Sequence, residues 1–316
     1  MTTDRVNSVA IMGAGTMGPG MAVVFAVHGY ETRLMDISAE VLDKAQNNVE
    51  MVFNVLKNND FITGEQIAAA RERLSFTLDQ AEAVSGVDLV AEAIPENLEL
   101  KHKFYREVEE QVADGTILAS NTSGLPITSL AEVCRRPERV VGMHWSNPPH
   151  IIPVIEVIKG EKTADETVAA LWAVIEDIEM LPVLVRRDVA GFVENRVLYA
   201  IMRECLHLLE SGIATAEDID TVVKWGIGYK LAVIGPMELL DVAGLDIYHS
   251  VASYLNQDLS NEANVSSLVS DKVREGQLGI KTMGGLFNYE PQDLAPLMQR
   301  RMNLLLDTKK VLADWL

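Results

Sequence analysis

A histidine and a glutamate interrupt the apolar segment HWSNPPHIIPVIEV, residues 144–157, and both side chains can carry a proton. His144 ends the run VVGMH, which reads as a parallel strand, and side chains at the carboxyl ends of such strands border the crevice where ligands bind. An imidazole there can take a proton from a substrate hydroxyl or return it, general acid–base work that typically contributes about 10²- to 10⁴-fold. Glu156 breaks the strand-like run IIPVIEVI, where a charge is costly unless paired. Hydrogen-bonded to one ring nitrogen, a glutamate fixes the tautomer of an imidazole and stabilises its protonated form. The competing readings are a packed histidine beside Trp145 and a glutamate paired with some lysine or arginine. His150 has no such partner in the sequence and reads as a residue behind the site or at the surface. His28, His102, His207 and His249 fall on helical patterns and read as solvated or packed, and no HExxH-like spacing points to a metal.

GAGTMG, residues 13–18, adds a second element. It follows the strand-like VNSVAIMG and opens a helix, the context that a dinucleotide fingerprint demands. Gly13 allows the tight turn, Gly15 lets the backbone approach a pyrophosphate, and Gly18 permits close packing of helix on strand. Thr16 and Met17 lie between them at a helix N-terminus, whose free N–H groups and dipole suit phosphates. Asp36 closes the next strand, ETRLMD, where a carboxylate accepts from the adenosine ribose and repels a 2'-phosphate, so NAD is expected over NADP. The bland alternative is a turn that serves packing, with Asp36 as a helix cap. SNTS ends a further strand, so Asn121 and Ser123 can present polar groups to the same crevice or merely cap a turn. GFVENR opens a helix on which Asn195 can face back towards it.

These residues need a scaffold, and the chain of 316 residues suits two domains. Short apolar runs alternate with helical patterns as far as VLVRRDVAGF, which predicts an α/β, Rossmann-type doubly wound sheet over residues 1–188. A helical hairpin, Ser38–Lys57 and Gly64–Leu74, is inserted in it. The remaining residues, 189–316, predict an all-α C-terminal domain. With 48% apolar and 23% charged residues the composition is that of a soluble globular protein. No run approaches the roughly 18 apolar residues of a membrane helix, and MTTDRVNSVAIMG lacks the pattern of a signal peptide, so a cytoplasmic protein is expected. Cys134 and Cys205 offer neither a ligand spacing nor a disulfide framework. A formal charge of −19 argues against nucleic acid or an anionic membrane as partner.

Taken together, AIMGAGTMGPGMA, AEAIPENLELK, ASNTSGLPIT, GMHWSNPP with IEVI, DVAGFVENR, IGPMELLDVAGLD and LGIKTMGGLFNY resemble the 3-hydroxyacyl-CoA dehydrogenase family over nearly the whole chain. The resemblance implies NAD as cofactor, a Rossmann domain, and a helical domain that forms a homodimer. By position it makes His144 the acid–base residue and Glu156 its partner, with Ser123 and Asn195 at the substrate oxygen and the nicotinamide. It places Glu96, Lys101 and Asn147 in the cofactor cleft. Two departures bear on the substrate. The hairpin carries Lys44, Lys57, Arg71 and Arg73 against six carboxylates, a poor host for the phosphates of CoA. The link WGIGYKLAVIGPMELLD is longer than in acyl-CoA members and is similar to the branch that acts on free polar acids. The expected substrate is therefore a small carboxylate bearing a hydroxyl or an aldehyde, with Lys230 pairing its carboxylate, and Trp145 and Ser146 lining its site. A flat pyridine ring against Trp145 fits that reading. The rivals are a 3-hydroxyacyl-CoA substrate and a non-catalytic NADH-binding protein.

Overall fold

The computed structural model describes residues 6–313; MTTDR and the last three residues of the C-terminal helical pattern lie outside them. The chain divides into two compact units, Met1–Arg196 and Val197–Leu316.

The first unit is built on eight strands: β1 (Ser8–Met12), β2 (Glu31–Met35), β3 (Leu74–Thr77), β4 (Leu89–Glu92), β5 (Ile117–Ser120), β6 (Val140–Trp145), β7 (Val154–Ile158) and β8 (Leu181–Val185). They lie in the order β3-β2-β1-β4-β5-β6-β7-β8. Every neighbouring pair is parallel except β6 with β7. The order reverses between β1 and β4, which puts a crevice beyond the carboxyl ends of those strands.

Strand alternation sorts the side chains into two cores. Val9, Ile11, Leu89, Ala91, Ile117, Ala119, Val141, Met143 and Trp145 fill one face, and Ala10, Met12, Val90, Leu118 and Val140 the other. Both faces are covered, so β4 and β6 are buried along their whole length, as the continuous apolar runs of their sequences require.

Seven helices belong wholly to this unit: α1 (Gly18–Val27), α2 (Ala39–Asn58), α3 (Gly64–Arg73), α4 (Gln80–Val84), α5 (Leu98–Glu109), α6 (Ile127–Ala131) and α7 (Asp165–Asp177). In α1 every residue from Gly18 to Ala26 is buried. Gly20 is required there, because a Cβ would come within 2.7 Å of the Pro149 ring. The expected hairpin is α2 with α3. Ser38 caps α2 by accepting from the Val41 N–H, and Thr63 and Gln66 form a reciprocal capping box on α3. Leu42, Ala45, Val49, Val52, Phe53 and Leu56 make the buried face of α2. Two of the hairpin's cations are paired within it: Lys44 lies 2.7 Å from Glu40 on α2, and Arg71 of α3 binds Glu50 of α2.

The helix α8 (Glu194–Glu210) begins in the first unit and runs into the second. The second unit continues with α9 (Ala216–Thr221), α10 (Tyr229–Leu231), α11 (Pro236–Ala243), α12 (Leu245–Asp258), α13 (Ser267–Arg274) and α14 (Pro291–Ala313), and a π-helical stretch, Val222–Gly228, joins α9 to α10. Among its described residues only Leu306 is fully buried, whereas Trp225, Tyr229, Met237, Val242 and Tyr254 are exposed. No helix of the described residues is long and apolar enough to cross a membrane.

Cys134, just after α6, is partly buried. Burial, with the Glu109 carboxylate nearby, pushes its thiol up to about 12. In a Cys205→Ser variant, an aromatic disulfide reagent at about pH 8 should react with Cys134 at least about a hundredfold more slowly in the folded protein than in denaturant. Comparable rates, read as release of coloured thiolate, would refute that placement.

Candidate active site

The expected site residues of the first unit lie on the loops at the carboxyl ends of β1, β2, β4, β5 and β6, on β7, and on α5 and the start of α8. The first of these loops is the glycine turn. Gly13 has φ +113°, and a Cβ on it would lie 2.5 Å from the Ala93 carbonyl oxygen; a Cβ on Gly18 would lie 2.2 Å from the Gly13 carbonyl oxygen. Gly15 has nothing within 4 Å of that position, and with Thr16 it is exposed, while Met17 leads into α1. Two glycines thus close the turn against the sheet and the third leaves the backbone bare, a cradle that fits a dinucleotide pyrophosphate. Asp36 ties the turn down: one oxygen accepts from the Ala14 N–H at 2.9 Å and the other from the Ser38 N–H at 3.0 Å. Asp36 thus braces two turns, while the cap of α2 is Ser38. Each Asp36 oxygen keeps a lone pair, so the carboxylate is compatible with binding a ribose.

At the end of β6, His144 stands directly across from Glu156 in the antiparallel pairing with β7. Its Nδ1 lies 2.8 Å from Glu156 Oε2, and both residues are buried. The other oxygen, Glu156 Oε1, accepts from the backbone N–H groups of Val193 at 2.8 Å and Glu194 at 3.1 Å. These amides are aimed by a tight turn in which Gly191 and Phe192 both have positive φ, and the buried Phe192 ring lies 5.7 Å from the imidazole. Burial alone would raise the Glu156 pKa. The His144 hydrogen bond and the two amides outweigh it and hold the carboxyl below its ordinary value. Glu156 is thus an anion fixing the imidazole by Nδ1, which leaves Nε2 to exchange a proton.

The loops after β4 and β5 are joined through Glu96. Its Oε1 accepts from Thr122 Oγ1 at 2.5 Å and from the N–H groups of Ser123 and Gly124 at 3.1 and 3.2 Å. Ser123 is exposed, and its carbonyl accepts from Asn195 Nδ2 at 3.1 Å, so these two expected residues do meet. Asn121 Oδ1 accepts from the Trp145 N–H at 2.9 Å, bracing β5 on β6. Asn147 is exposed in the connection after β6.

Three expectations are corrected. Lys101 does not open to the cleft: its side chain is 1% exposed, and its ammonium is engaged by Glu92 at 2.6 Å, Glu96 at 3.3 Å and the Ile94 carbonyl at 3.4 Å. Trp145 does not line the site beside His144. Consecutive strand residues point to opposite faces, and its ring packs in the other core, 5.7 Å from Phe25. Ser146 is buried and its hydroxyl donates to Glu194. Lys230 is exposed on α10 in the second unit.

Two carboxylates escaped the sequence reading. Glu92 is wholly buried; that burial raises its pKa, opposed by Lys101, the Ser120 hydroxyl and the Ile94 N–H. It carries the same signal as Glu156, a charge in an apolar strand. Glu194, in the first turn of a helix, reads as an ordinary dipole-compatible acid and gives no signal of its own.

Residues 8–189 match the model of the 3-hydroxyacyl-CoA dehydrogenase NAD-binding domain, and residues 191–289 that of the C-terminal domain of the same enzymes. The chain belongs to the 3-hydroxyacyl-CoA dehydrogenase family. NAD is its cofactor, and it is a dehydrogenase. It is 48% identical over 307 residues to the 5-formyl-3-hydroxy-2-methylpyridine 4-carboxylate 5-dehydrogenase of Mesorhizobium japonicum, covering 97% of this chain and 98% of that protein. The crystal structure of such a dehydrogenase, described as an NAD+-dependent dismutase, superposes with a TM-score of 0.93 at 47% identity, covering 98% and 99% of the two chains. Human mitochondrial hydroxyacyl-coenzyme A dehydrogenase is 35% identical over 90% of this chain and 92% of its own.

A carboxyl whose folded pKa lies below its unfolded value contributes stability that is complete above the unfolded value, near 4.5 for Glu156, and is lost as pH falls through the lower folded value. Denaturation midpoints should therefore fall as the solution is acidified below about pH 5, and Glu156→Gln should flatten part of that fall. An equally steep acid loss in the variant would detach Glu156 from it.

Proposed function

We propose that this dehydrogenase acts on a small free carboxylate bearing an aldehyde or hydroxyl group, a 5-formyl-pyridine-4-carboxylate being the substrate class that fits best. The 48% identity to the Mesorhizobium enzyme over almost the whole length supports this, against 35% for the human acyl-CoA enzyme. So does the hairpin, where Lys44 and Arg71 are already engaged by Glu40 and Glu50 and offer little to CoA phosphates. The observation that carries the chemistry is the buried His144–Glu156 pair in the sheet that also bears the glycine turn.

NAD, when bound in the glycine cradle next to Asp36, supplies the hydride acceptor. The protein's part is the proton. An alcohol loses its hydroxyl proton to His144 Nε2 as its C–H hydride leaves, giving a carbonyl. An aldehyde reacts as its hydrate: one hydroxyl proton passes to His144 as hydride leaves the same carbon, and a carboxylic acid results. The reverse transfer from protonated His144 delivers the proton when an aldehyde is reduced to an alcohol. Glu156 holds the ring and offsets the positive charge in each case. Ser123 and Asn195 serve the substrate oxygen and the nicotinamide, Glu96, Asn121 and Asn147 line the cofactor side, and Lys230 pairs the substrate carboxylate. The exposed apolar residues of the second unit support its pairing with a second copy of the chain, and we place the homodimer in the cytoplasm.

His144→Ala should lower kcat by about 10²- to 10⁴-fold while NADH binding, followed by fluorescence, survives. Near-normal turnover would remove His144 from the mechanism. Absorbance assays with the pyridine aldehyde acid, gulonate, carnitine and acetoacetyl-CoA should show turnover on a free acid, and Lys230→Ala should raise KM for it by about tenfold or more with little change in kcat. Efficient turnover of the CoA ester would transfer the protein to fatty-acyl chemistry, and an unchanged KM would leave Lys230 a surface residue.

A further inference from the structure

Glu194, the first residue of α8, meets the acid–base pair from a third direction. Its backbone N–H donates to Glu156 Oε1 at 3.1 Å, and its carboxylate accepts from the Ser146 hydroxyl. A ring nitrogen of His144, a carboxylate oxygen of Glu156 and one of Glu194 lie within 4.8 Å of one another. Two carboxylates at this separation repel unless a cation stands between or beside them, and the group available to become one is the imidazole.

We propose that Glu194 is a positioning residue that acts through His144: with Glu156 it forms a two-carboxylate cradle for the protonated imidazole, and Ser146 holds it in place. The proposal rests on the reading of His144 as the proton acceptor. In oxidation the proton arriving on the ring is then held by two negative charges, and in reduction the same two charges face the ring until its proton leaves. The other charged groups of the surrounding elements are occupied elsewhere. Arg196 on α8 turns to the Ala190 carbonyl, Asp188 takes the Thr128 N–H, and Glu96 after β4 is engaged by Lys101 and Thr122. This leaves Glu156 from β7 and Glu194 from α8 to set the charge around the ring. The assignment also explains Ser146, whose hydroxyl faces a carboxylate where the sequence suggested a substrate.

The test is Glu194→Gln in the full-length protein, with the His144 imidazole followed by NMR titration without substrate and kcat/KM measured against pH in both directions. The midpoint of the imidazole titration should fall by about one pH unit, and the acid limit of oxidation and the alkaline limit of reduction should both move down with it. Ser146→Ala, which keeps the charge but frees it to turn towards water, should move all three in the same direction by less. An imidazole midpoint that stays at the wild-type value in both variants overturns the proposal, and should the glutamine variant fail to fold, Ser146→Ala alone decides it in the same way. A shifted midpoint with unmoved kinetic limits supports the Glu194 coupling and overturns the acid–base reading of His144 instead, so the two failures are told apart.

Discussion

The 2.8 Å contact between His144 and Glu156 depends on the register of β6 and β7. A one-residue slip would send Glu156 to the opposite core. Here β6 and β7 are antiparallel, and the register His144↔Glu156 is shared by Met143↔Val157 and Gly142↔Ile158. Gly142 belongs to the same constraint, because a Cβ there would fall 2.6 Å from that of Ile158. The turn before α8 is equally bound to this pair, since its left-handed Phe192 exists to turn two amides onto Glu156.

Burying a carboxylate costs several kcal/mol, and Glu156 and Glu92 meet that cost with the same kind of solution. Glu156 collects an imidazole and two amides; Glu92 collects an ammonium, a hydroxyl and an amide. The second cluster lies beneath the nucleotide side of the sheet. Through Lys101 it holds Glu96, and through Glu96 it sets the course of the backbone at Ser123 and Gly124. The two clusters differ in what their cation can do. A lysine enclosed by two carboxylates and a carbonyl serves as a strut, whereas an imidazole keeps one nitrogen for exchange.

Much of this was legible in the chain. The glycine turn, Asp36 and the His144–Glu156 pair announced themselves because each is a polar or glycine interruption at the end of an apolar run, where a sheet protein places its ligands. The helical hairpin showed in the apolar period of α2. Trp145 was misjudged for a reason already contained in the sequence: it neighbours His144 on a strand, so the two cannot share a face. Lys101 was misjudged because a helix pattern does not reveal that a lysine's head turns inward to a carboxylate on another strand. Glu194 and Ser146 were invisible as a pair, since their meeting depends on how α8 docks, a long-range fact that no local pattern encodes.

The antiparallel pairing of β6 with β7 also has a bearing on the order in which the site assembles. His144 and Glu156 are 12 residues apart, a short loop to close, whereas the carboxyl end of β1 must find Met12's partner Glu92 across three crossovers. Long-range parallel pairing is the slow part of such folds. The proton-handling half of the site is therefore written into a local hairpin that can form early, and the nucleotide-handling half must wait for the sheet to complete around it.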